Sequence, residues 1–230
     1  FSFDRCAFFM IVGRGLIATA FRNSLFDCPP FVVFASGVSN STESDPDAYA
    51  RELALLDPYL TKNTTLIYFS TTSIFDPTKA HSSYILHKSA IEKRIREHAQ
   101  SYLLVRLPIL VGRTSNPYTL INFLANAVKE EKPITLHANA CRHLLDIDDL
   151  VPVLAPFAGM TRMRETINIP GSEKISVPEL AEKIENVLHR KGVFTWENSG
   201  ACYDIPVDAG KTIFVGGKQY VEDILIKYLG

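Results

Sequence analysis

Phe8-Phe9-Met10-Ile11-Val12-Gly13-Arg14-Gly15-Leu16-Ile17-Ala18 joins an unbroken apolar run of strand length to a glycine turn, and Thr19 to Leu25 continues with helix-compatible residues. An apolar run without polar alternation fits a strand buried on both faces, as in a parallel sheet covered by helices. In Gly13-x-Gly15-x-x-Ala18, Gly13 permits a tight turn and Gly15 lets backbone approach a phosphate group. Ala18 lets the helix pack closely on the strand. Such a loop also serves as a plain turn, so its weight depends on the rest of the chain.

The next hundred residues repeat the pattern. Phe31-Val32-Val33-Phe34-Ala35-Ser36-Gly37 is a second buried-type strand, and Asp45-Pro46-Asp47 signals a helix start before Ala48 to Leu60. Leu66 to Thr72 is a third strand. Tyr84 to Gln100 is a helix with Ile91 and Ile95 inward and Glu92, Lys93, Arg94 and Arg96 outward, and Tyr102 to Leu107 is a fourth strand. Strands alternating with helices predict an α/β fold, a Rossmann-type doubly wound parallel sheet. Beyond Gly112 the pattern loosens: a helix at Tyr118–Lys129, a short strand at Pro133–Leu136, a helix after Ile147 and a strand at Thr166–Pro170. Ser176 and Glu179 form a capping box opening a helix to about Arg190, and Tyr220 to Leu229 closes the chain as a helix. The sheet domain is expected over 1–112 and 146–170, and a small C-terminal substrate lobe over 113–145 and 171–230.

A chain of 230 residues, 47% hydrophobic, can bury one substantial core. Lys and Arg total 24 and Asp and Glu 25, a net charge of -1, so no basic excess points to nucleic acid. The apolar runs are too short to span a bilayer, and no leader pattern precedes them, so neither membrane nor secretion is expected. Cys6, Cys28, Cys141 and Cys202 are far apart in sequence and read as unpaired thiols in a reducing cytoplasm. No His/Cys cluster has metal-ligand spacing, so no metal is expected.

The chemistry-bearing stretch is Ser83-Tyr84-Ile85-Leu86-His87-Lys88, where Tyr84 and Lys88 share a helix face at i and i+4. A free phenol has a pKa of about 10, and a nearby ammonium favours the phenolate, so Lys88 is expected to bring Tyr84 toward useful proton transfer. Thr71, at the end of the strand before this helix, can hydrogen-bond the same reacting oxygen, with Thr72 as the alternate. His87 points to another helix face and reads as packing or surface. Asp146, Asp148 and Asp149 read as caps of the adjoining helix rather than a metal cluster.

Taken in order, these pieces resemble the extended short-chain dehydrogenase/reductase family, in particular its sugar-nucleotide epimerases, dehydratases and 4-keto-sugar reductases. The resemblance rests on the Gly13–Ala18 loop, Val33 to Ser39, Ile67 to Asp76, the Tyr84-x-x-x-Lys88 pair, Val105 to Gly112, and Arg142-His143-Leu144-Leu145-Asp146-Ile147-Asp148-Asp149. It covers residues 8 to about 150. It implies an NAD(P)-dependent oxidoreductase or isomerase acting on a nucleotide sugar by epimerisation, dehydration or keto-reduction, in the cytoplasm, for surface-polysaccharide biosynthesis. The alternatives are a keto-reductase on a small carbonyl compound and a non-catalytic cofactor sensor of the same fold.

Carried onto this sequence, the resemblance makes Tyr84, Lys88 and Thr71 catalytic. NAD or NADP would lie on Gly13, Arg14, Gly15, Leu16, Ile17, Ala35, Ser36, Gly37, Tyr84, Lys88, Leu107 and Pro108. Thr72 and Arg142 would meet the substrate, Arg142 at its diphosphate. It also implies a homodimer through the helices at 48–60 and 84–99. Two departures stand out. The family has two further strands between its first helix and the strand that Phe31–Gly37 resembles. Either that segment is deleted or Phe31–Gly37 is itself the second strand. The spacing from Gly37 to Ser70 suits one helix and one return, which favours deletion, a narrower sheet and half an adenosine pocket. The loop from Thr71 to Tyr84 is also shorter than usual, which predicts a more open pocket or a different substrate.

Overall fold

The computed structural model describes residues 10–61, 63–160, 162–208, 212–217 and 219–230. Cys6, Ala7, Phe8 and Phe9, which belong to the opening apolar run, lie outside the described residues. In chain order the elements are β1 (Ile11–Val12), α1 (Leu16–Phe21), β2 (Phe31–Phe34), α2 (Pro46–Leu60), β3 (Thr65–Thr71), α3 (Ser83–His98) and β4 (Ser101–Leu107). They continue with β5 (Ile109–Val111), α4 (Leu120–Lys129), β6 (Ile134–His137), β7 (Cys141–Arg142), β8 (Leu144–Asp146) and α5 (Ile147–Leu154). The last are β9 (Arg164–Gly171), β10 (Ile175–Ser176), α6 (Val177–Leu188), β11 (Phe194–Glu197), β12 (Thr212–Phe214) and α7 (Tyr220–Leu229).

Six of these strands form a parallel sheet in the order β1-β2-β3-β4-β9-β12. Successive side chains of a strand point to opposite faces. Val33, Ile67, Phe69, Leu103 and Val105 therefore face one side, where Phe21 and Phe26 and the α5 residues Ile147 and Leu150 cover them. Val32, Phe34, Leu66, Tyr68 and Leu104 face the other, under Leu56 and Leu60 of α2 and Ile91 and Ile95 of α3. Each fully buried aliphatic side chain here contributes roughly 1.5–3 kcal/mol.

The strand order decides between the two readings of Phe31–Gly37. A second strand of the family type would place β1 inside the sheet. Instead, among the described residues, β1 is at the edge, and β2 lies between β1 and β3. This is the order that the deletion reading expects. It leaves a topological trace: β1–α1–β2 advances across the sheet in the same direction as β2–α2–β3, but α1 lies on the opposite face from α2. The two connections therefore have opposite hands, although such connections are right-handed in about 98% of cases.

A second core forms around α4, α6 and α7, through Ile121, Leu124, Val128, Leu180, Ile184 and Leu225. β6 pairs with β11 in parallel, and β7 with β10 antiparallel, at its margins. The segment expected wholly in the lobe also sends β12 back to the main sheet, against β9. That strand has only three residues and a half-exposed pattern, so no apolar run announced it.

The reading of the cysteines is corrected. Cys141, in β7, and Cys202 form a disulfide with Cα atoms 4.6 Å apart, across a separation of 61 residues. Distance along the chain says nothing about distance through the fold. The argument for a reducing compartment from unpaired thiols loses this support, and Cys28 is the one free, exposed cysteine among the described residues. Among the same residues no helix is long and apolar enough to cross a membrane.

Candidate functional site

The C-terminal ends of β1, β2 and β3 and the first turns of α3 converge on one place. α3 begins at a Ser82 N-cap, whose hydroxyl accepts the Ile85 N–H at 3.3 Å. That start puts Tyr84 and Lys88 on the inner face of the first two turns. β3 ends at Thr71, whose hydroxyl accepts the Ser73 N–H at 3.1 Å and lies near enough to Tyr84 to favour its ionisation. Tyr84, Thr71 and Lys88 are thus brought together. Thr72 is turned away: its hydroxyl donates to the Leu107 carbonyl at 3.3 Å, in the interior. The short loop does not leave the tyrosine open, for Tyr84 is only 8% exposed, packed with Val38, Ile85, Tyr49 and Ile74.

Lys88 does not stand free beside Tyr84. Its ammonium donates to Glu52 Oε1 at 3.1 Å and to the Tyr68 hydroxyl at 2.9 Å, and Tyr68 in turn donates to Glu52 Oε1 at 2.5 Å. Glu52 Oε2 accepts the Val38 N–H at 2.7 Å and meets His87 Nε2 at 2.9 Å. Both carboxylate oxygens are thus doubly engaged in a fully buried position. Burial opposes ionisation of Glu52, but His87, the Lys88 charge, Tyr68 and Val38 outweigh it and hold its pKa down to about 2. Burial pulls the pKa of Lys88 down, against the pull of Glu52.

Tyr84 therefore differs from the sequence-based expectation. Its pKa is pushed up to about 12, chiefly by burial, with Glu52 and Tyr49 adding and Thr71 opposing. The lysine charge is spent on Glu52, so it does not make Tyr84 more acid. Two helix-face readings also change. His87 is drawn inward onto Glu52, its ring centre 4.5 Å from that of Tyr49 and tilted by 35°. Glu92 is buried, accepting from Ser70 at 2.6 Å, from Arg106 at 3.0 and 2.7 Å and from Arg96 at 2.5 Å. It braces α3 against β3 and β4, one helical turn beyond Lys88.

Around this centre the glycine turn is tight. Gly13 has φ +134°, and a Cβ there would lie 2.4 Å from the Ala35 carbonyl oxygen. Gly15, by contrast, faces open space. Arg14 is exposed, Leu16 and Ile17 half-buried, and Ala35, Ser36 and Gly37 run half-buried beyond β2. Gly37 passes directly over the buried pair: a Cβ would come within 2.7 Å of Glu52 Oε1 and 2.8 Å of Lys88 Nζ. Leu107 is buried at the end of β4 and Pro108 half-buried after it.

Arg142 sits at the lobe edge, donating to the Cys141 carbonyl at 2.7 Å. Lys79, in the loop between Thr71 and Tyr84, is its electrostatic neighbour: burial and then the Arg142 charge lower the lysine pKa, against Asp76. A cavity of about 450 Å³ lies elsewhere, between the loop at Gly112–Ser115, Asn122 and Tyr228. Neither Tyr84, Lys88 nor Thr71 lines it, so the convergence of side chains, not cavity size, marks the site.

Glu52 and Lys79 escaped the sequence reading. A signal for Glu52 existed: residues 52, 56 and 60 form one buried stripe of α2, and a carboxylate on an apolar stripe needs a buried partner. Lys79, in a loop, carries no such pattern.

No protein-family model matches the chain, and no curated protein matches it. Solved structures do. The dTDP-4-dehydrorhamnose reductase of Bacillus anthracis in complex with NADP is 18% identical, with TM-score 0.63 over 92% of this chain and 84% of that one. The UDP-N-acetylglucosamine 4-epimerase of Bacillus cereus is 20% identical, with TM-score 0.62 over 90% and 82%. The UDP-glucuronic acid 4-epimerase of Bacillus cereus, as a mutant with a fluorinated UDP-sugar and NAD, is 16% identical, with TM-score 0.57 over 84% and 72%. The chain has the fold of these epimerases and reductases. At such identities the likeness extends to the fold and carries no statement about substrate.

Proposed function

We propose that the protein is an NAD(P)-dependent enzyme of the short-chain dehydrogenase/reductase type, acting on a nucleotide sugar by keto-reduction, epimerisation or dehydration in surface-polysaccharide synthesis in the cytoplasm. One observation carries this reading: Tyr84, Thr71 and Lys88 gather at the strand ends faced by the Gly13 loop, with Lys88 Nζ 5.9 Å from the centre of the Tyr84 ring. In an open parallel α/β sheet, ligands bind outside the carboxyl ends of the strands.

A dinucleotide fits the near end of this site better than the far end. Gly15 leaves room for a pyrophosphate, and Gly37 and Tyr84 border the place for a nicotinamide. On the adenosine side β1 is the edge strand, and among the described residues no element lies beyond it to read a ribose. A dinucleotide held by the Gly13 loop, Gly37 and Lys88 would supply or take the hydride at the carbinol carbon. Thr71 holds the reacting oxygen, and Tyr84 exchanges a proton with it. Lys79 and Arg142, two neighbouring cations, suit a diphosphate better than an uncharged carbonyl compound. Leu55 and Leu86, exposed on α2 and α3, fit a homodimer through those helices.

Thermal unfolding with NAD, NADH, NADP, NADPH, UDP and dTDP tests the reading. Stabilisation by a dinucleotide and by a nucleoside diphosphate is expected. Stabilisation by the dinucleotide alone moves the assignment to a small carbonyl substrate, and by neither overturns it. Once turnover is found, Tyr84→Phe is expected to lower the rate roughly 10²- to 10⁴-fold. Equal rates would leave a cofactor-sensing protein.

A further inference from the structure

We propose that Glu52 is a positioning residue that closes an ion pair on Lys88 and thereby keeps Tyr84 a neutral phenol, so that this site gives a proton to a carbonyl oxygen rather than taking one from a hydroxyl. The inference rests on the reading of Tyr84 given above and deepens it, selecting keto-reduction among the three reactions.

The geometry is specific. Lys88 has three N–H bonds, and two are committed, one to Glu52 Oε1 and one to Tyr68. Its nitrogen lies 5.9 Å from the centre of the Tyr84 ring and 5.1 Å from that of Tyr68. The lysine charge next to Tyr84 is matched by a carboxylate a hydrogen bond away, fully buried and shielded from water. In a buried setting a compensated charge has little left to stabilise a third ion. A Tyr84 phenolate as the resting state would therefore add net negative charge to the pocket.

The surrounding groups agree. From α2, Tyr49 and Glu52 face the phenol, and both disfavour its ionisation. From β3, Tyr68 donates to Glu52, and Thr71 is the one group that favours ionisation of Tyr84. From α3, His87 is engaged by Glu52, and Glu92 is held by Arg106 and Arg96. No free cation remains among these groups to pull the Tyr84 proton off. A neutral phenol is the resting state needed for keto-reduction. A hydride from a reduced dinucleotide would go to the carbonyl carbon, and the oxygen would take the Tyr84 proton. The phenolate left would regain a proton from solvent at the exposed edge of the ring, whereas oxidation of an alcohol starts from the phenolate.

The test is a titration of Tyr84 itself and needs no substrate. The near-ultraviolet phenolate absorbance of a protein minus that of its Tyr84→Phe counterpart reports this residue alone. In the wild-type protein no Tyr84 phenolate is expected up to about pH 10, where free tyrosines ionise. In Glu52→Gln the Tyr84 signal is expected at least about one pH unit below its wild-type position, a tenfold change in the ionisation constant. Adding Lys88→Met to Glu52→Gln should move it back up, because the shift acts through the lysine. A folded Glu52→Gln protein whose Tyr84 titrates as in the wild type overturns the proposal, and so does failure of Lys88→Met to reverse the shift. Should Glu52→Gln not fold, carbon-13 resonances of labelled tyrosine in the wild-type protein decide. Tyr84 should remain a phenol from neutral pH to about pH 10, and a phenolate in that range overturns the proposal. A Tyr84 that titrates early leaves the oxidoreductase reading standing, whereas a protein that binds no dinucleotide removes that reading without touching the titration.

Discussion

Glu52 concentrates the residue-scale energetics. A buried ion pair adds little net stability, but removing one partner strands the other. Glu52→Leu, which leaves Lys88 unpaired, is expected to cost about 3–5 kcal/mol by urea unfolding, and Glu52→Gln less. The pH dependence has a definite sign. The carboxyl pKa falls from 4.5 in its ordinary state to about 2 in the folded protein. Its contribution is therefore complete above about pH 4.5 and is lost as the pH falls toward 2. Glu92 and Asp146 are shifted the same way. The stability gap between the wild-type protein and Glu52→Gln should narrow between about pH 4.5 and pH 2; a constant gap would show that the carboxylate charge carries none of it. Gly37→Ala should act on the same pair from above, because its methyl group must displace Glu52 Oε1 and Lys88 Nζ. A cost of about 1–3 kcal/mol is expected.

The elements differ in how plainly the sequence announced them. α2, α3, α6 and α7 carry caps or apolar periodicity, and β2, β3 and β4 are continuous apolar runs, so they were legible within a few residues. β7, β8, β10 and β12 are two or three residues long, too short for any period to show. At the site, the Tyr84–Lys88 spacing and Thr71 were legible because helix geometry and strand ends fix them locally. Glu52 and the Tyr68 hydroxyl were not, because their roles depend on α2 packing across β3 and α3. Asp146 shows an element held from both sides. It caps α5 through the Asp148 N–H at 3.0 Å and also accepts from Lys227 at 2.7 Å and Tyr228 at 2.6 Å of α7. Asp146→Ala should cost roughly 2–4 kcal/mol, a cap together with charged hydrogen bonds. Asp148→Ala, an exposed partner of Lys227, should cost under about 1 kcal/mol. Equal costs in urea unfolding would mean that the cap and the clasp are not what Asp146 contributes.

On the scale of the whole molecule, two cores share one chain, and the Cys141–Cys202 disulfide fastens the lobe margin across 61 residues. Closing a loop of that length contributes about 2–4 kcal/mol, so Cys141→Ser with Cys202→Ser, or reduction of the wild-type protein, should lower thermal stability. An unchanged melting temperature under reduction would show that this bond does not bear on stability. The order β1-β2-β3-β4 has a different consequence, one for the history of each molecule rather than its finished state. In sheets of the wider order 3-2-1-4-5-6 the fourth strand must travel back past two others to reach the far edge of the first. Here the first four strands are laid down in the sequence in which a ribosome delivers them, each beside the one before. Such neighbour-to-neighbour pairing shortens the loops that must close, so this sheet can assemble by simple addition as the chain emerges.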